Sequence, residues 1–74
     1  MNLLLLIPDR GEVARSFKIG ATVAFVKLTI EQEFGIQMDK IVLKANGRVL
    51  IDPFSLSDLP RGDLGVAWQV EWRM

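Results

Sequence analysis

Thr22-Val23-Ala24-Phe25-Val26-Lys27-Leu28-Thr29-Ile30-Glu31-Gln32-Glu33-Phe34-Gly35, followed closely by Ile41-Val42-Leu43-Lys44-Ala45-Asn46-Gly47-Arg48-Val49-Leu50-Ile51, is where the fold is decided. In the first segment Val23, Val26, Lys27 and Ile30 recur at helical spacing, and Phe25, Leu28 and Phe34 widen the stripe. Thr22 is placed to accept a free amide of the first turn, and Gly35 is placed to stop the helix in the left-handed region. The spacing therefore predicts one helix of about three turns. Glu31 and Glu33 face solvent, and the apolar stripe requires a sheet to cover it. In the second segment two apolar runs flank Asn46-Gly47, both of which tolerate positive φ. That predicts a tight antiparallel hairpin with strands over 41–45 and 48–51.

Working toward the N-terminus, Leu3-Leu4-Leu5-Leu6-Ile7 is a run of five apolar residues closed by Pro8-Asp9-Arg10-Gly11. A short apolar run ended by turn chemistry reads as a buried strand, and Glu12 to Ile19 returns as its hairpin partner. Val13, Phe17 and Ile19 share one parity and are expected inside. Arg15 shares that parity too, which requires either an exposed end of the sheet or a bulge that resets the alternation. Toward the C-terminus Asp52-Pro53 ends the central hairpin, and Ser55-Leu56-Ser57-Asp58-Leu59 is a short helical turn anchored by Leu56 and Leu59. Pro60-Arg61-Gly62-Asp63 is a further turn. In the last strand Val66, Trp68, Val70 and Trp72 alternate with polar or small residues, giving one buried and one wetted face. The predicted class is α+β: a single domain over 1–74 in which one helix packs across a mixed sheet of four to five strands, with a helical turn near 56–59.

The chain has 74 residues, with nine Lys plus Arg balancing nine Asp plus Glu, and neither Cys nor His. Without those two residues there is no disulfide, no thiolate nucleophile, no ordinary zinc site and no histidine base, so no catalytic residue, metal or cofactor is expected. Asp9, Asp52, Ser55, Ser57 and Asp58 fall in turns, where such side chains serve their own backbone. The five Arg and four Lys are scattered, which argues against a nucleic-acid partner. The first apolar run is far below the roughly 18 to 20 residues of a membrane span and has no basic leader, so neither membrane insertion nor secretion is expected. A natural protein of this kind belongs in cytoplasm or nucleus, as a monomer.

Thr22-Val23, Val26-Lys27, Ile30, Gly35-Ile36, Asp39, Leu43, Gly47, Leu50, Asp52 and Leu56-Ser57-Asp58 together resemble the ubiquitin-like β-grasp family, with no gap across that stretch. The resemblance is looser outside it. The apolar parity of the last strand falls one position early, which implies a one-residue deletion between Leu59 and Val66. Phe17 and Ile19 fit inward positions better with a longer first turn and a shorter loop after the second strand. Function in this family rests on a Gly-Gly tail used for conjugation and on an apolar patch of the sheet. This sequence reads Trp72-Arg73-Met74 after its last strand, so the resemblance implies a domain that is not conjugated. Lys44 stands where the family presents its patch isoleucine, and Pro8 lies near the place of the patch leucine.

What remains implied is reversible protein binding through the sheet face, by Val42, Lys44, Gly47, Arg48 and Gln69. Ubiquitin-receptor-type helices or other proteins would be the partners. Each of these residues also reads as an ordinary exposed strand position. Lys27 matches a buried helix-borne lysine whose amine is paired. The alternative is an artificial, designed sequence on the ubiquitin fold without a natural partner, suggested by the retained central register, altered patch and short tail. The shifted last strand, Arg15 and a charged fraction of 24% weigh against it.

Overall fold

The alternation along Asn2–Ile7 sends Leu3, Leu5 and Ile7 to one side, each at most 3% exposed, while Leu4 and Leu6 lie half-buried on the other. This is β1, the strand around which the rest assembles in a computed structural model that describes residues 1–73. Met74, part of the expected chain end, lies outside the described residues. β2 (Gly11–Ser16) pairs antiparallel with β1, and α1 (Val23–Phe34) follows. β3 (Ile41–Ala45) and β4 (Arg48–Val49) form the central hairpin. A 3-10 turn at Leu56–Asp58, a one-turn helix α2 (Arg61–Leu64) and β5 (Trp68–Trp72) complete the chain. The sheet order is β2-β1-β5-β3-β4, with β5 parallel to β1 and antiparallel to β3.

The expected class is therefore observed: α+β, a mixed five-stranded sheet crossed on one face by one main helix. The layout is compatible with a β-grasp. Val23, Val26 and Ile30 of α1 are fully buried against Leu3, Leu5, Leu43, Trp68 and Val70. Leu50, Leu56, Leu59 and Phe17 close the ends of this core. Thr22 Oγ1 accepts the Phe25 N–H at 3.1 Å, as its capping position predicts. Gly35 sits at φ 73°, with its N–H donated to the Glu31 carbonyl at 2.9 Å, the left-handed stop read from the sequence. Asn46 and Gly47 take φ 54° and 77°, the pair of positive angles a two-residue hairpin turn requires.

Several expectations are corrected. β2 is paired residue for residue from Gly11 opposite Ile7 to Ser16 opposite Asn2, so no bulge resets it. Of the two alternatives for Arg15 the exposed one holds: it lies on the edge strand, where its Nε donates to Glu33 at 2.9 Å. The strand ends at Ser16; Phe17 is buried, but Ile19 is 52% exposed beyond it. Phe25 is 51% exposed, outside the buried stripe. At about 100° per residue it lies some 200° around the helix from Val23, whereas Ile30 returns to the same side. Its ring meets Phe17 edge-on at 6.2 Å. β4 is shorter than predicted, although Leu50 still donates its N–H to the Leu43 carbonyl at 2.8 Å and buries its side chain. Ile51 is exposed. β5 starts at Trp68, leaving Val66 outside it, and the turn after Pro60 is helical.

Candidate protein-binding face

With α1 on one side, the other side of the sheet carries the residues of opposite parity. The ladders align Glu12 with Leu6, Leu6 with Gln69, Gln69 with Lys44 and Lys44 with Val49. One row thus crosses all five strands. Beside it Leu4 stands opposite Ala14, and Val42 opposite Glu71. Residues directly opposite on neighbouring strands share a face, so these side chains form one surface. An open depression between Leu6, Pro8, Glu12, Gln69 and Glu71 lies within it.

Among the residues expected from the sequence, Lys44 and Gln69 are direct neighbours and Val42 is two positions along β3. Gly47 occupies the hairpin tip. Arg48 leaves the face. Its ladder partner is Ala45, which is 1% exposed and belongs to the core parity, so the register turns Arg48 toward the helix layer. Leu6, Glu12 and Val49 take part in the row but were not singled out from the sequence. Leu6 was not legible there, because residues 3–7 are all apolar and only the structure shows that Leu3, Leu5 and Ile7 are the buried set. Val49 and Glu12 needed the register.

The charges on this face are largely neutralised. Lys44 Nζ lies 3.1 Å from Glu71 Oε2 across the β3–β5 ladder. Glu12 forms no ion pair among the described residues. On the other side Arg48 Nη2 donates to both oxygens of Asp63, at 2.6 and 2.7 Å. Asp63 is 2% exposed and also accepts from Asn46 Nδ2 at 3.0 Å. The hydrogen bonds from Asn46 and then Arg48 hold its carboxyl below the ordinary carboxylate value, against the opposing effect of burial. Trp68 Nε1 donates to the Asp63 carbonyl at 2.8 Å. The pairing of Lys27 with Asp52 places the lysine stem along the core, as its position predicts.

Among the described residues, no group of three or more His, Cys, Asp or Glu is arranged to hold a metal ion. No helix among them is long and apolar enough to cross a membrane. What the face offers chemically is apolar contact from Leu4, Leu6, Val42 and Val49, the amide of Gln69 and the carboxylate of Glu12. No protein-family model matches the chain, and no curated protein matches it.

Proposed function

We propose that this chain is a ubiquitin-like β-grasp domain that binds other proteins reversibly through the open face of its sheet, without catalysis, cofactor or metal. The observation that carries this is the row Glu12, Leu6, Gln69, Lys44 and Val49, continuous across all five strands on the side opposite α1. Half-buried Leu4, Leu6 and Val42 give it apolar area, and pairing of Lys44 with Glu71 removes a charge that would oppose docking. A receptor helix with a compact apolar anchor fits such a surface better than a charged one.

The test is a two-dimensional amide NMR titration of labelled protein with a panel of ubiquitin-receptor helices and domains. Shifts confined to Leu6, Val42, Lys44, Val49 and Gln69 are expected. A well-dispersed spectrum that no receptor perturbs would overturn the proposal and favour a designed sequence without a partner.

A further inference from the structure

We infer that Asp63 is a positioning residue, a latch whose buried carboxylate holds Asn46 and Arg48 and so sets where the β3–β4 turn lies at the edge of the sheet. The latch depends on the proposed function only in treating Gly47 and Val49 as the margin of a binding face.

A carboxylate taken out of water is costly unless charged and polar partners replace the water. Asp63 is 2% exposed, and its side-chain partners both come from the central hairpin: Asn46 at the turn and Arg48 at the start of β4. β4 spans only Arg48–Val49, so its own ladder supplies few bonds to fix the tip. Asn46 is also the residue held at φ 54°, and its amide reaches the Gly62 carbonyl at 3.4 Å as well as Asp63. Turn geometry and latch therefore act on the same residue.

The other end of the latch is rigid. Trp68 is fully buried at the start of β5 and donates its indole N–H to the Asp63 main-chain oxygen. The Asp63 N–H is bonded to the Pro60 carbonyl at 2.9 Å. Core packing thus fixes α2 through Trp68, and α2 fixes the hairpin tip through the Asp63 side chain. Main-chain and side-chain oxygens of one residue divide the work: the first anchors, the second positions. Arg48 meets Asp63 through Nη2, while its side chain stays 60% exposed.

Asp63→Asn keeps the shape and removes the charge. In the 74-residue chain, the Arg48 and Leu50 amides should then exchange with solvent about tenfold faster or more, the scale of losing one charge-assisted bond. Amide relaxation should report new motion at residues 46–49, while the Trp68 indole N–H resonance and the β1–β2 amides stay in place. Arg48→Gln, a change at an exposed side chain, should loosen the same residues, and it decides the matter if D63N loses its fold. The double variant should be no looser than D63N alone, because Arg48 acts on the tip through Asp63. A hairpin tip unchanged in both single variants, or effects that add in the double variant, would overturn the latch. None of these measurements involves a partner, so failure of the latch leaves the binding face standing, and a partnerless face leaves the latch standing.

Discussion

Comparing Ile30→Ala with Phe25→Ala tests which side of α1 is buried. Both residues lie in the apolar stripe drawn from the sequence, and phenylalanine is the larger. If both were core residues, the phenylalanine change would cost at least as much, ~3 to 5 kcal/mol against ~2 to 5. In the structure Ile30 is fully buried, whereas Phe25 is 51% exposed and touches Phe17 edge-on at 6.2 Å. Truncating Phe25 then removes part of a surface contact and one aromatic pair, about 1 kcal/mol. Truncating Ile30 opens a cavity beneath the helix and costs about 3 kcal/mol. With 74 residues and an unfolding entropy of ~2.1 cal/mol/K per residue, each kcal/mol moves Tm by about 6 °C. Circular dichroism on heating should therefore show a loss of about 6 °C for F25A. For I30A the loss should be about 18 °C, or the cooperative transition should disappear. Equal losses, or the reverse order, would refute the assigned helix face.

Gly35→Val should cost about 1 kcal/mol or more in urea unfolding, purely through backbone conformation. Gly35 holds φ 73° and an added Cβ would meet nothing within 4 Å, so a merely steric account predicts no loss. Asp63 titrates below its ordinary value of 3.8 in the folded state, so the unfolded chain takes up its proton first as pH falls. Its contribution is therefore present above that ordinary value and lost as pH drops through the folded one. Arg48 is the charged group bonded to it. The gap in urea midpoint between wild type and D63N should be widest near neutrality and should close below about pH 4; a gap independent of pH would show that the charge is irrelevant. Asp52→Asn should destabilise more than Glu33→Gln. The first strands Lys27, whose side chain is 12% exposed, while the second breaks a pair exposed at 39% and 35% whose worth is ~0.5 kcal/mol. Matched melting curves of the two variants check this.

Fold class and the main punctuation of the chain were legible because they are local. The Thr22 cap, the Gly35 stop, the Asn46-Gly47 turn and the Leu56–Asp58 turn each depend on residues within a few positions of one another. The parity of β5 was equally readable, since alternation in a strand needs no knowledge of its neighbour, whereas the unbroken apolar run of β1 shows none. Tertiary structure decided the rest. Which candidates share a surface depends on register, and register is a relation between strands distant in sequence: Leu6 meets Gln69, and Val49 rather than Arg48 joins Lys44 on the open face. The same relation carried Arg48 across to Asp63, 15 residues away, where a segment read only as a turn became the seat of a buried carboxylate. Phe25 stayed outside because one sheet face can cover only one side of a helix, and hydrophobicity by itself does not choose the side; Ile19 stayed outside because pairing with β1 ends at Ser16 and leaves it in the turn beyond.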